Sequence, residues 1–279
     1  MDSLWPRLAG AALREDPFPR WMLDEALDPV FYRRLLAEWP PDEIFVRGRR
    51  LGGATKIPLS AETLIHNPSV TPLWRDFLLR HREPAFLRHL LQHFREWILR
   101  AHPDLEEKFG PAGKWRIGAR SRDSFDNHDV LVDCQLAIFT PAQGRPQSDR
   151  GPHVKLRNKL MTGFLFFPVE NEPSGLGGDW DFFSAPPDQR LRHGINLTVD
   201  PAQVRLADTI PYRPNTFGML LNCPRGIQGF RPRTPGAPPF RYFEFTVQFP
   251  RRLFEVEESF VSNLRNHWRT WTRAGVTDL

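Results

Sequence analysis

The chain has 279 residues, of which 40% are hydrophobic, and its 22 phenylalanines are enough to build a sizeable core. The formal net charge of +5 is small for this length, so we expect no nucleic-acid partner. The sequence contains no run of about 18 apolar residues and no apolar leader, which predicts neither a membrane span nor a signal peptide. Cys134 and Cys223 match no disulfide or metal spacing, which favours a reducing cytoplasmic location.

The N-terminal part, residues 1–113, is predicted to be mainly helical. Apolar residues at helical spacing predict a helix over Asp28–Trp39, which Pro40-Pro41 ends. The strongest helical pattern covers Thr71–His102, which we interpret as two helices, with Pro84 starting the second. We expect the large apolar residues of this stretch to be buried against the strands and not to line a pocket: Trp74, Phe77, Leu90, Phe94 and Trp97.

From Lys114 onward, short apolar runs separated by turn residues predict β-strands. These runs are Trp115–Ser121, Val130–Thr140, Lys159–Phe167, Trp180–Phe183, Val204–Tyr212, Asn215–Leu221 and Phe240–Phe249. Helices followed by strands favour an α+β fold, with the helices packed on one side of the strands. We interpret the chain as one domain over residues 1–279, with a β-barrel core over 114–250. Residues 251–279 form its last part, where an amphipathic helix is predicted over Arg251–Arg273.

Two segments of the strand region carry an ordered series of motifs. Gly151–Ser184 begins with Pro152-His153-Val154-Lys155, continues into a buried strand, and reaches Gly177-Gly178 after a polar turn. Asn215–Arg241 contains a strand, a Pro-Arg turn and the sequence Gly-Ile-Gln-Gly-Phe before the last long strand.

In this order the segments resemble the core of the non-haem iron, 2-oxoglutarate-dependent oxygenases. In that family the first segment often has the pattern P-H-x-D, followed by a lysine, a hydrophobic strand, a loop and G-[GT]. The resemblance covers roughly Val132–Phe249. It implies a double-stranded β-helix, a barrel of the jelly-roll type, with helices packed on one side.

The resemblance also implies an iron site made of two histidines and one carboxylate, with open positions for 2-oxoglutarate and oxygen. Only His153 of that set is in place. Lys155 takes the position of the carboxylate, and Gln228 takes that of the second histidine. A charged lysine offers only donors and repels a divalent cation, so we expect no bound iron and no cofactor. The alternative is that Fe(II) and 2-oxoglutarate still bind.

Arg241 corresponds to the family arginine that pairs with the far carboxylate of 2-oxoglutarate, a task for which a planar guanidinium is suited. If the family geometry holds, Lys155 and Arg241 point into one pocket with Gln228 between them. Their charges then need an offset, either an acid such as Asp133 or Asp179, a neutral Lys155, or a bound anion. We therefore predict a site for a small carboxylate or another anion, contacted by Gln228, Arg241 and Asp133.

Three functions remain open from the sequence. The first is a pseudo-oxygenase that acts as a binding module or as the protein partner of an active enzyme. The second is an active oxygenase in which Asp133, Asp179 or Asp181 completes the iron site with His153. The third is metal-free catalysis by a buried Lys155 with a lowered pKa, as a base or a Schiff-base nucleophile. The alternative to this third function is a purely structural role, in which Lys155 pairs with an acid.

Overall fold

The computed structural model describes residues 3–46, 55–140 and 151–257. Eight α-helices lie within these ranges: α1 (Trp5–Leu8), α2 (Pro29–Ala37), α3 (Asp42–Val46), α4 (Ala61–Ile65), α5 (Pro72–Arg82), α6 (Pro84–His93), α7 (Arg95–Ala101) and α8 (Leu105–Phe109). None of these helices has the length and apolar character that crossing a membrane requires.

The two longest predicted helical regions are confirmed, with one difference. The Asp28 side chain accepts hydrogen bonds from two backbone amides of the first turn of α2, and the Thr71 hydroxyl accepts one from the Trp74 amide at the start of α5. Pro84 begins α6, as expected. The predicted second helix is divided, however, because the backbone of Phe94 leaves helical geometry between α6 and α7.

Twelve strands are found in the described ranges. They are β1 (Leu13–Arg14), β2 (Arg20–Leu23), β3 (Lys56–Ser60), β4 (Ile117–Ala119), β5 (Val130–Phe139), β6 (His153–Val154), β7 (Lys159–Phe166), β8 (Trp180–Ser184), β9 (Arg205–Ile210), β10 (Phe217–Leu221), β11 (Ile227–Phe230) and β12 (Phe240–Gln248). They form two sheets. The larger has the order β1-β2-β10-β7-β12-β5-β3, with β4 beside β5, and the smaller has the order β6-β11-β8-β9.

The two faces of the larger sheet contact different layers. On β12, Phe243 and Phe245 pack against the helices, whereas Phe240 and Tyr242 lie among residues from both sheets. This alternation follows from the two-residue period of a strand. The fold is therefore a mixed α and β structure, with helices on one face of the larger sheet and the smaller sheet on the other. The space between the two sheets is called the intersheet space below.

The helix-facing layer confirms the predicted burial. Trp74, Phe77, Leu90 and Phe94 are fully buried or nearly so, and Trp97 is partly buried against the same core. The ring of Phe77 contacts that of Phe243 on β12, with centroids 5.1 Å apart. The helices are thus held to the sheet by aromatic packing.

The prediction of a C-terminal helix is wrong for residues 251–257. Residues 251–257 form bends and irregular backbone, and Leu253 and Phe254 are buried against the core. The Leu253 amide donates to the carbonyl of Arg157, which holds the segment in a non-helical path across the sheet edge. The rest of the predicted helix lies outside the described residues.

Gly177 should tolerate no side chain. Its φ is +83°, and an added Cβ would lie 2.0 Å from the carbonyl oxygen of Pro232. We expect Gly177→Ala to lower the free energy of unfolding by about 3 kcal/mol, through backbone strain plus the clash. Gly175 has φ +82° but no atom within 4 Å of an added Cβ, so Gly175→Ala should cost about 1 kcal/mol. Urea denaturation compares the two variants, and equal losses would contradict the clash.

Candidate functional site between the two sheets

His153 and Gln228 lie opposite each other on β6 and β11. The Nδ1 atom of His153 is 2.9 Å from the carbonyl oxygen of Gly151, so Nδ1 donates and Nε2 remains as an acceptor. The Gln228 amide nitrogen donates to this Nε2 at 2.6 Å, and its Oε1 accepts from the indole of Trp180 at 2.5 Å. The ring nitrogen through which His153 would bind a metal is therefore already hydrogen-bonded.

The residues at the family's ligand positions do not fit iron. Gln228 is fully buried, and both ends of its amide are hydrogen-bonded, the oxygen to Trp180 and the nitrogen to His153. The ammonium of Lys155 lies 4.7 Å from the centroid of the Phe164 ring, a cation–π contact that places a positive charge near the expected ion.

The alternative carboxylate ligands lie elsewhere. Asp179 and Asp181 both pair with Arg231, at 2.8 Å each, and Asp181 is on the face of β8 opposite to Trp180. Asp133 is on β5 in the larger sheet, bonded to the Gln135 amide at 2.5 Å. Within residues 3–46, 55–140 and 151–257, no group of three or more His, Cys, Asp or Glu is arranged to hold a metal ion.

Arg241 does not share a pocket with Lys155, and that prediction is wrong. Arg241 donates to both carboxylate oxygens of Asp42 at 3.0 Å, and its guanidinium lies 5.7 Å from the ring of Trp39. It is therefore on the helix-facing side of β12. The strand neighbours Phe240 and Tyr242 fill the intersheet space at this level, so the site does not fit a 2-oxoglutarate bound by Arg241.

Glu244 is the acid that lies among the lysines. It is 4% exposed, and its carboxylate is 2.7 Å from the ammonium of Lys56 on β3. On β12 it stands directly opposite Phe164, the ring that Lys155 covers. Lys56, Lys155, Lys159 and Glu244 are called the lysine cluster below.

The charges of the lysine cluster depend on each other. Burial alone would raise the pKa of Glu244, but Lys56, Lys155 and Lys159 outweigh it and hold that pKa well below its usual range. Burial likewise opposes the charge of Lys56, but the Glu244 carboxylate raises the pKa of Lys56 above its ordinary value. Three cations thus surround one ionised carboxylate in a mostly buried place.

Lys159 differs from the other lysines of the cluster. Its ammonium makes no hydrogen bond or ion pair with any residue of the described ranges, although Glu244, Asp133 and Lys56 act on its charge. Burial lowers the pKa of Lys159, and the charge of Lys56 adds to this, while Glu244 opposes it. A register shift between Val247 and Gln248 displaces the start of β7 at this point. Such irregularities change the direction in which a strand residue points.

Next to the cluster, two buried hydroxyls have no hydrogen-bond partner among the described residues. Thr162 on β7 and Thr246 on β12 are cross-strand neighbours, and each is at most 1% exposed. Neither hydroxyl oxygen has a hydrogen-bond partner in the described part of the chain. Thr246 also stands opposite Asp133, whose pKa is raised by burial although Arg120 opposes this. Buried polar groups are normally paired, so these hydroxyls are available to a ligand or water.

The comparisons with known proteins concern the fold. No family model and no curated protein matches the sequence. The epimerase SnoN, solved with Fe³⁺, α-ketoglutarate and a nogalamycin, has a similar structure, with a TM-score of 0.48 and 10% identity over 88% of this chain and 83% of SnoN.

Two further solved structures are similar. A prolyl-4-hydroxylase of Pseudomonas putida has a TM-score of 0.40 and 10% identity, over 83% of this chain and 92% of its own. AviO1 of Streptomyces viridochromogenes has a TM-score of 0.45 and 14% identity, over 84% of this chain and 90% of its own. SnoN is a non-haem, α-ketoglutarate-dependent epimerase, so it uses the cosubstrate of the family that the two sequence segments resemble.

Proposed function

We propose that this protein is an oxygenase-like barrel that has lost its iron site. It acts as a binding module for a small carboxylate or another anion, or as the partner of an active enzyme. The observation that carries the proposal is the contact between Gln228 and His153. A hydrogen bond of 2.6 Å occupies the nitrogen that the metal would need, and the other end of the same amide accepts from Trp180.

The strand order supports a double-stranded β-helix as the finer description of the fold. The central strands of the larger sheet run β10-β7-β12-β5 and the smaller sheet runs β6-β11-β8-β9, and each pair within these two runs is antiparallel. Successive strands from β5 to β12 alternate between the two sheets, except that β8 and β9 are consecutive and paired in the smaller sheet. This arrangement explains why the family's motif positions His153 and Gln228 become neighbours.

The charge of the cluster supports an anionic ligand. Lys56 neutralises Glu244 directly, while Lys155 and Lys159 add positive charge on the same side of the larger sheet. Asp133 is bonded to Gln135 and lies 3.6 Å from Arg120, so its charge is already shared. A carboxylate that reached the cluster would meet two ammonium groups and the free hydroxyls of Thr162 and Thr246.

The loss of the iron site is tested by restoring it. We expect the natural protein to take up no stoichiometric Fe(II) or Co(II) in anaerobic titration followed by elemental analysis. The double variant Lys155→Asp, Gln228→His should gain one metal equivalent, because position 155 follows His153 by two residues, just after β6, and position 228 lies beside His153. Visible spectra of the Co(II) form report the new ligands directly.

Gln228→His alone is the matched control, since it supplies two histidines without the carboxylate and should bind more weakly than the double variant. If the natural protein bound one equivalent of metal, and His153→Ala abolished that binding, the proposed loss of the site would be wrong. If neither protein bound metal while both stayed folded by circular dichroism, the barrel would lack the geometry proposed for it.

A further inference from the structure

The lysine cluster contains a large share of the lysines of this chain. Among 38 basic residues the sequence has five lysines, at positions 56, 108, 114, 155 and 159, and three of them surround Glu244. Arginine would supply the same positive charge and would bind a carboxylate with two parallel hydrogen bonds. What lysine adds is an amine that can lose its proton and act as a nucleophile. An arginine-rich chain with lysines at this place therefore points to amine chemistry.

The three lysines are not equivalent in that respect. Lys56 is held by the Glu244 carboxylate, which keeps it protonated. Lys155 covers the Phe164 ring, a contact that favours the charged ammonium. Lys159 makes neither kind of contact within the described residues, and burial opposes its charge. Lys159 is thus the lysine of the cluster that gives up its proton most readily.

The surroundings of Lys159 provide groups for a small substrate. The orphaned hydroxyl of Thr162 is three residues away on β7, and that of Thr246 is across the strand pair. Both hydroxyls can donate to a carboxylate, and Lys155 adds a positive charge on the same side. A cavity of about 430 Å³ is lined by Gln135 and Arg120, the two residues that contact the Asp133 carboxylate, and by Ser60 among others.

We propose that Lys159 is a nucleophilic amine that forms an imine with the carbonyl group of a small oxo acid held between the two sheets. The inference rests on the anion-binding function proposed above and names its substrate class. The carboxylate is bound by the threonine hydroxyls and Lys155, and the carbonyl carbon lies next to Nζ of Lys159. Lys159, and not Lys155, is thus the residue to which we assign amine chemistry.

The covalent step is balanced without an oxidant or a metal. The lone pair of Nζ forms a bond to the carbonyl carbon, and the carbonyl oxygen takes up a proton to become a hydroxyl. After a second protonation this hydroxyl leaves as water. Nζ gives up both of its protons during the step, which balances the two taken up by the oxygen, and a C=N bond remains. Asp133 can relay these protons, because it stands opposite Thr246 on β12 and burial raises the pKa of its carboxyl group.

The test traps the imine on the full-length protein with pyruvate and sodium borohydride, followed by intact mass measurement and peptide mapping. We expect one adduct per chain, heavier than the protein by the mass of the acid less one oxygen atom, and located on Lys159. Labelling of Lys159 should exceed that of the exposed Lys108 by at least about tenfold. Borohydride reduces only an imine that has already formed, and Lys159 is the amine expected to form it. Lys159→Arg should lose the adduct, and Lys108→Arg should keep it.

Calorimetric titration with propionate and with pyruvate, both without borohydride, separates this inference from the proposed function. Propionate has the carboxylate but no carbonyl group, so it tests anion binding alone. If the acids bind but no adduct forms, or if the adduct is spread over Lys108 and Lys114, the assignment of Lys159 is overturned and the binding module stands. If neither acid binds, the anion-binding function itself is overturned. Peptide mapping of the natural protein gives the answer even if Lys159→Arg fails to fold.

Discussion

Replacing Glu244 with glutamine is expected to lower the free energy of unfolding by about 3 kcal/mol, the lower end of what removing one partner of a buried ion pair costs. The glutamine has the same shape, so packing is preserved, but Lys56, Lys155 and Lys159 lose the carboxylate between them. The effect is at the lower end because the Lys56 side chain is 35% exposed and can turn to water. Urea denaturation at neutral pH measures the loss.

The matched control is Glu96→Gln. Glu96 pairs with Arg100 one helical turn away, and both side chains are mostly exposed. Such surface pairs contribute about 0.3–0.5 kcal/mol. If the two substitutions cost the same, Glu244 does not hold the lysine cluster together.

The pH dependence gives a second measurement on Glu244. Because its pKa is depressed in the folded protein, its contribution is present above the unfolded value of about 4.3 and is lost as the pH falls toward the folded value. The natural protein should therefore lose stability on acidification below about pH 4.3, with part of that loss due to this one carboxylate. Glu244→Gln should show a flatter acid limb. Parallel acid limbs for the two proteins would contradict the depressed pKa.

The long strands could be predicted from the sequence, and the short ones could not. β5, β7 and β12 are runs of eight or more residues that are apolar along most of their length, so composition alone locates them. β6 has two residues, and it exists because it pairs with β11. β3 contains Pro58 and pairs with β5, which follows it by about 70 residues, a contact that no local pattern encodes. The Pro is accommodated because β3 is at the sheet edge.

The site was predictable in part for the same reason. The order and spacing of the two motif segments predict that His153, Lys155 and Gln228 lie close together, because the strand pairing of the fold sets that spacing. Arg241 was placed on the wrong face, although a strand's two-residue period puts residues 241 and 244 on opposite sides. That count, applied to the last strand, would have identified Glu244 as the interior acid. Lys56 could not be found this way, because its contact with Glu244 joins residues 188 positions apart.

Replacing Trp74 with alanine is expected to produce the largest loss of stability, about 3–5 kcal/mol. Trp74 is fully buried in α5, and its ring contacts those of Trp39, Phe77 and Phe167 at centroid distances of 5.1 to 5.6 Å. Its indole N–H also donates to the carbonyl of Leu35 at 2.9 Å, which would lose its partner in a buried place.

The size of this loss follows from the position of Trp74 between two helices and a strand end. The cavity left by the indole would be surrounded by the rings of Trp39 just after α2, Phe77 on α5 and Phe167 just after β7, so the site cannot collapse to fill it. Leu79→Ala on the same helix is the control, since Leu79 is 36% exposed and its truncation should cost less than about 1 kcal/mol. Thermal and urea unfolding of both variants measure the difference. Equal losses would show that the aromatic contacts of Trp74 do not add to the free energy of unfolding, and that they do not hold α5 to the larger sheet.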